Sequence, residues 1–201
     1  EVITDEGGES EVMMRLHGYD VLRLKDADEE RKEASLESDE ILTVAIAEDL
    51  VEHCRSHSNL VFANAKGDIE LLADAANEAC RRAGLPESFL VHHGSLSKEV
   101  REDTEERMKS RRPHTAICSS TLEMGIDIGS VRLVGQIGAP WSVASMKQRM
   151  GRSGRKAGEA RRLRCYVDCT TDAESDNPFS ALPLELLQTI AAIDSDIPVV
   201  L

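Results

Sequence analysis

No apolar run in this 201-residue chain approaches the roughly 18–20 residues that a membrane span needs. The start lacks the cationic and then apolar pattern of a secretory signal, because Glu1 opens an acidic stretch, so a cytoplasmic setting is expected. The first residue is not Met, which points to a fragment or a processed product. The five cysteines, Cys54, Cys80, Cys118, Cys165 and Cys169, contain no CxxC pair and no matching histidine cluster. That spacing argues against a metal site and for free thiols on apolar faces. Lys and Arg are missing altogether from residue 165 onward.

What is present is a globular composition, with 41% hydrophobic and 30% charged residues. The length suits one domain with appendages, or one domain and part of another. The net charge of -13 looks unfavourable for contact with a polyanion. Its distribution matters more than its sum. Residues 1–49 hold 16 acidic and 5 basic side chains, and residues 165–201 hold 7 acidic ones. Between them, residues 147–164 hold 8 basic side chains against the single acid Glu159. A short cationic segment therefore sits inside an acidic chain.

Residues 1–38 form an acidic amino-terminal segment in which Val12–Leu16 and Tyr19–Leu24 alternate like strands, a short hairpin followed by a charged linker. Their composition suits disorder as well as structure. From residue 39 the pattern becomes regular. Asp39 is placed to cap a helix with an apolar stripe from Ile41 to Cys54. Strands are predicted at 60–63, 89–91, 115–118, 132–137 and 163–167, and helices at 67–83, from Ser97, and at 143–150. Strands alternating with helices mean βαβ units, hence an α/β fold with a parallel sheet and helices on both faces. The loops after Ala63, Val91, Cys118 and Ile137 then lie at the carboxyl edge, where such sheets bind ligands. The regular domain spans residues 39–169. Residues 170–201 read as a linker and a helix leading to a missing downstream domain.

Four loop segments carry the chemistry. In Gln148-Arg149-Met150-Gly151-Arg152-Ser153-Gly154-Arg155, Arg152 and Arg155 are three apart, so a helical turn would project both to one side. Two guanidinium groups so placed hold phosphoryl oxygens. In Ser119–Asp127, the hydroxyls of Ser119, Ser120 and Thr121 follow a strand and suit a phosphodiester backbone. Gly125 permits close approach there, and Asp127 can accept from a ribose hydroxyl. In His92-His93-Gly94-Ser95-Leu96-Ser97, adjacent histidines diverge, which argues against joint metal ligation, and Ser97 is placed to cap the next helix. The fourth segment, Val61–Lys66, is a strand ending in polar residues.

In this order the four segments resemble motifs IV, IVa, V and VI of superfamily 2 DEAD/DEAH-type helicases. Ser119–Ser130 is similar to the TSTLELGIDIGS form of motif V, and Gln148–Arg155 to the QRxGRSGR form of motif VI. The HHGSLSKE run from His92, and Gly138-Ala139-Pro140, resemble the large helicase-related (Lhr-like) group. The resemblance spans about residues 41–168 and implies a RecA-like fold of the P-loop NTPase type, here the second, carboxyl-terminal helicase domain without its own P-loop. It implies that Arg152 and Arg155 are arginine fingers toward the γ-phosphate of ATP, and that Gln148, Gly125 and Asp127 face the nucleotide. It further implies that Ser95, Ser119 and Thr121 contact the nucleic-acid backbone, with Asn64 and Lys66 at motif IV. The partners implied are single-stranded or duplex DNA, RNA or an RNA–DNA hybrid, and a first RecA-like domain of the same protein.

Three departures are small: Ser119 stands for a commoner Thr, Met124 for Leu, and FANAK for FxNxR. The large departure is that GxxxxGK[ST] and DExH occur nowhere in the chain. ATP and Mg²⁺ would therefore be bound mainly by the absent first domain, and the isolated chain is expected to hydrolyse no ATP. Two rival readings stay open, a non-catalytic nucleic-acid-binding or scaffold module and a double-strand translocase that does not unwind.

Overall fold

The computed structural model describes residues 2–3, 12–27, 37–123, 128–155, 159–171 and 178–194. Seven strands form one sheet: β1 (Val2–Ile3), β2 (Val12–Tyr19), β3 (Asn59–Phe62), β4 (Phe89–His92), β5 (Thr115–Cys118), β6 (Leu133–Ile137) and β7 (Arg161–Asp168). Their spatial order is β1-β2-β7-β6-β3-β5-β4. Every pairing from β2 to β4 is parallel, and only β1 on β2 is antiparallel.

Among the described residues the α-helices are α1 (Val21–Ala27), α2 (Ser38–Cys54), α3 (Lys66–Arg82), α4 (Lys98–Lys109), α5 (Val143–Met150) and α6 (Leu184–Asp194). Strand alternation sorts the core into two layers. Val61 and Ile117 pack with Ile46, Leu50, Ile69 and Leu72 of α2 and α3. Their neighbours Leu60, Phe62, Ala116 and Cys118 pack with Met108, Met146, Met150 and Ile193 of α4, α5 and α6. Burial on both faces is why β3 and β5 read as continuous apolar runs rather than alternating ones. Among the described residues no helix is long and apolar enough to cross a membrane.

Several expectations need correction. Tyr19–Leu24 is not a strand, because Asp20 Oδ1 accepts the Leu22 amide at 3.0 Å and starts α1 instead. Asp39 does not cap α2. Glu37 does, and its amide donates to Glu40 Oε2 at 3.1 Å. Val12–Tyr19, assigned to a separate amino-terminal segment, pairs along its whole length with β7 and extends the main sheet. Ser97 caps α4 as expected, its side chain accepting from Val100 N–H at 3.4 Å.

The parallel order places the loops after β3, β4, β5 and β6 on the carboxyl edge. On the α2 side, Asp49 accepts from Arg164 at 2.9 Å and from the Tyr166 hydroxyl at 2.6 Å, tying α2 to β7. Four of the cysteines, all but the half-buried Cys169, lie in the core as free thiols. Burial pushes Cys54 and Cys165 up to about 12, so these thiols are not nucleophiles at neutral pH.

Candidate functional site

The arginine segment begins on α5. Met146, Arg149 and Met150 face inward at i, i+3 and i+4, and Arg149 is only 2% exposed. A buried guanidinium must be paired, and this one is fully engaged. Its Nε donates to Glu123 Oε1 at 2.6 Å, its Nη2 meets the same oxygen at 2.5 Å, and its Nη1 donates to Gln136 Oε1 at 2.5 Å. The guanidinium also lies 4.9 Å from the Phe62 ring centre. Ser145 Oγ adds a bond to Glu123 Oε1 at 2.9 Å. Arg149 and Glu123 fall within the arginine and hydroxyl segments of the sequence, which assigns neither a role of its own. An arginine on the apolar face of α5 was the available signal.

Arg152 and Arg155 do not share a helical turn. α5 stops at Met150, with Gly151 as its cap, and both arginines lie in the loop beyond. That loop is pinned by the Val131–Ser153 bridge and by Ser153 Oγ, which accepts the Arg162 amide at 3.1 Å. Gly154 makes the turn at φ +62°, and a Cβ there would fall 2.8 Å from the Arg161 nitrogen. Arg152 turns inward, 6% exposed, and donates from Nε at 3.0 Å and from Nη2 to the Glu123 carbonyl. Arg155 is exposed, with a 3.4 Å bond from Nε to the Gly151 carbonyl. Burial first, and then the charge of Arg155, push the Arg152 guanidinium below its ordinary value. The two cations are thus near each other without sharing a face. Gln148 is exposed on α5.

The hydroxyl segment leaves β5 at Ser119. Its amide donates to the His92 carbonyl at 3.2 Å, which joins the loops after β4 and β5. Thr121 Oγ1 lies 2.8 Å from His92 Nδ1, 3.3 Å from the His92 carbonyl and 3.4 Å from Ser119 Oγ. Ser95 is exposed in the turn beside it, and a Cβ on Gly94 would lie 3.9 Å from Thr121 Cγ2. Ser119 and Thr121 therefore form one cluster at the carboxyl edge, with the Gly94–Ser95 turn beside it. Gly125 and Asp127 lie outside the described residues.

His92 is the residue missed here. It is 1% exposed, and its Nε2 sits 3.1 Å from Glu105 Oε1 on α4. A carboxylate only accepts, so the proton belongs on Nε2. In the neutral ring Nδ1 is then an acceptor, and the Thr121 proton goes to it at 2.8 Å in preference to the His92 carbonyl at 3.3 Å. Thr121 spends its one donor inward and presents a lone pair outward. His93 turns the other way, with Nε2 3.0 Å from Glu70 Oε1. The two histidines diverge as their adjacency requires.

Asn64 Nδ2 donates to the Ala139 carbonyl at 2.8 Å, linking the end of β3 to the loop before α5. Lys66 is exposed at the start of α3. Among the described residues, neither hydrogen-bonds the hydroxyl cluster. The donor set of the site is guanidinium, hydroxyl and backbone amide, which suits phosphate oxygens. Among the described residues no group of His, Cys, Asp and Glu is arranged to hold a metal ion.

Residues 42–157 match the family described as helicase conserved C-terminal domain. The Lhr helicase/probable uracil glycosylase of Mycolicibacterium smegmatis is 35% identical over 144 residues, 57% of this chain and 10% of that protein. The ATP-dependent helicase Lhr-Core of Methanothermobacter thermautotrophicus is 34% identical over 122 residues, 61% of this chain and 14% of that one. The chain thus spans a small part of the length of these relatives. The structure of Mycobacterium smegmatis helicase Lhr bound to ssDNA and AMP-PNP superposes with a TM-score of 0.66 at 30% identity, over 92% of this chain and 22% of that one. Domain 2 of the DEAD-box helicase Mss116p, bound to an RNA duplex, has a TM-score of 0.56 at 17% identity, over 77% of this chain and 54% of that one, and shares the fold alone.

Proposed function

Because this chain belongs to the family of helicase conserved C-terminal domains, we propose that it is the second motor domain of an ATP-dependent, Lhr-like helicase or translocase. One observation carries this reading. Arg152 of the arginine loop is bonded to the Glu123 carbonyl, two residues beyond Thr121 of the hydroxyl cluster. A change at a phosphate near the arginines is felt directly by the loop that faces a strand.

In the proposed cycle ATP is hydrolysed between this domain and a first RecA-like domain that supplies the phosphate loop and holds Mg²⁺. Arg155, exposed, approaches the γ-phosphate across the cleft. Arg152 leaves or shares the Glu123 carbonyl to stabilise charge on the transferring group. Gln148, Gly125 and Asp127 face the nucleotide. Ser95, Ser119 and the amides around them hold the strand backbone, with Asn64 and Lys66 at the neighbouring motif. Such contacts favour phosphates over bases, so sequence selectivity is low. The substrate is single-stranded or duplex DNA, with RNA or an RNA–DNA hybrid as the alternative, in a cytoplasmic setting. Support comes from the relative of known structure, which was solved with ssDNA and AMP-PNP.

The test is Arg152→Ala and Arg155→Ala in the full-length protein. Arginine fingers contribute roughly 10³–10⁵ in rate, so ATP turnover should fall to background while strand binding persists. Retained turnover would refute the finger assignment. The absence of GxxxxGK[ST] from the chain favours a second reading, a non-catalytic strand-binding module. It prevails if the coding sequence upstream also lacks that loop and a DExH box.

A further inference from the structure

The sheet has a second polar edge, at the amino ends of the strands, which the motor reading leaves unused. A cleft of about 590 Å³ opens there, lined by Arg111, Arg132, Arg162, His57, Ser58 and Ser130 among others. It adjoins a cleft of about 450 Å³ that shares Arg132, Arg162 and His57 and adds Arg15. Along the sheet order these cations belong to β2, β7, the entry to β6 and the entry to β5. That row spans four strand spacings of about 4.8 Å, roughly 19 Å in all.

The charge in this row is not balanced. Among the described residues no carboxylate pairs with Arg15, Arg111, Arg132 or Arg162. Arg132 Nη1 instead meets an imidazole, His57 Nε2, at 3.3 Å. Burial, Arg132 and Arg162 together lower the His57 pKa. The bland explanation is that these arginines offset the carbonyl ends of α2 and α4, which finish beside the cleft at Cys54 and Lys109. A helix end supplies only about half a negative charge. Two ends and Glu159, which also lines the cleft, leave roughly two of the four positive charges over. In a chain of net charge -13, such an excess on one edge is a local feature with its own chemistry.

We propose that this cleft is a second seat for nucleic acid, which holds the phosphodiester backbone of a strand at the sheet edge opposite the hydroxyl cluster. A single phosphate would need the arginines to converge on one point. By strand order their backbones are strung along the edge, one after another, and an extended polyanion matches that line. Ser56, Ser58 and Ser130 stand among them as neutral donors to the same oxygens. The proposal rests on the reading that the chain binds nucleic acid, and adds to it a surface whose arginines lie outside the motif segments.

The experiment is fluorescence anisotropy of a labelled oligothymidylate with this 201-residue chain, repeated over a series of salt concentrations. For single strands, log K falls with log salt at about 0.7 per phosphate neutralised, so Arg111→Gln, Arg132→Gln and Arg162→Gln together should lower the slope by about 2. Lysine at the same three positions should restore it, which separates charge from folding. Ser95→Ala with Ser119→Ala should weaken binding and leave the slope in place. If the glutamine variant keeps both affinity and slope while the serine variant weakens binding, the second seat is wrong and the hydroxyl cluster stands. If the serine variant binds as well as the parent and the arginine variant does not, the second seat stands and the hydroxyl assignment falls. If the parent chain binds no strand at any salt, both fall. Inorganic phosphate that competes as well as the oligonucleotide would make the cleft a compact-anion site and overturn the strand assignment.

Discussion

Glu123 holds both halves of the arginine loop. Its carboxylate pairs with buried Arg149, and its carbonyl receives Arg152. Glu123→Ala strands a guanidinium that is 2% exposed, and removing one member of a buried pair costs about 3–5 kcal/mol. Denaturant unfolding should show a loss of about 3 kcal/mol, the lower end of that range, since Gln136 still accepts from Arg149. A loss under about 1 kcal/mol, the range of surface pairs, would mean that the pair is not structural. His92 offers a spectroscopic check. Nitrogen-15 shifts of its ring should report the Nε2–H tautomer, and Glu105→Gln, which can donate to Nε2, should move the proton toward Nδ1 and turn the Thr121 hydroxyl to the His92 carbonyl. A parent ring already in the Nδ1–H form would contradict the donor direction argued for Thr121. His17 and His114 supply a pH dependence. Burial depresses both below the ordinary 6.5, with Arg164 adding to the effect on His17. The unfolded chain binds protons near 6.5 that the folded chain refuses, so stability is full above about that pH and declines as pH falls below it. His17→Phe keeps the stack on Tyr166, now 5.3 Å between centres, and should flatten urea midpoints measured from pH 7.5 to 5.5. An unaltered profile would exclude His17 as a source.

At the scale of elements, the decisive unit is α5 with the loop that follows. The helix ends with Gly151 as its cap, and the loop turns back because Gly154 adopts φ +62° against Arg161. Gly154→Ala must place a Cβ at 2.8 Å from the Arg161 nitrogen, and the left-handed backbone alone costs about 1–2 kcal/mol for an L-residue. The variant should melt earlier and expose Arg152, read as faster hydrogen exchange across residues 150–155. Unchanged exchange would show that the turn tolerates a side chain. The same unit explains where sequence reading failed. Three-residue spacing suggests a shared helical face for Arg152 and Arg155, but the helix ends at Met150, before either is reached. The strands, by contrast, were legible. Those of β3 and β5 are apolar on both faces because helices cover both, and their runs stand out from the charged helices between them. β2 was recognised as extended but not as a member of the main sheet, because a parallel partner more than a hundred residues away leaves no local trace.

Across the whole molecule, charge is segregated rather than balanced. Acidic flanks surround a cationic segment, and the sheet presents hydroxyls at its carboxyl edge and arginines at its amino edge. A molecule so divided suits a strand-gripping half with no phosphate loop of its own. The isolated chain should therefore release no phosphate from ATP above the blank, with or without a single strand. Measurable turnover, abolished by Arg155→Ala, would show a complete active site and refute the half-motor reading. From residue 39 onward the order of elements, the parallel sheet and the loops at its carboxyl edge follow from periodicity and residue type, because both are local properties of the chain. Pairing across distance is not local. The Arg149–Glu123 clasp, the inward turn of Arg152, the His92–Thr121 bond and the row of arginines across strands distant in sequence come from tertiary packing. Only the folded sheet brings those groups within reach of one another, and only burial decides which cations must be paired and which remain available to a ligand.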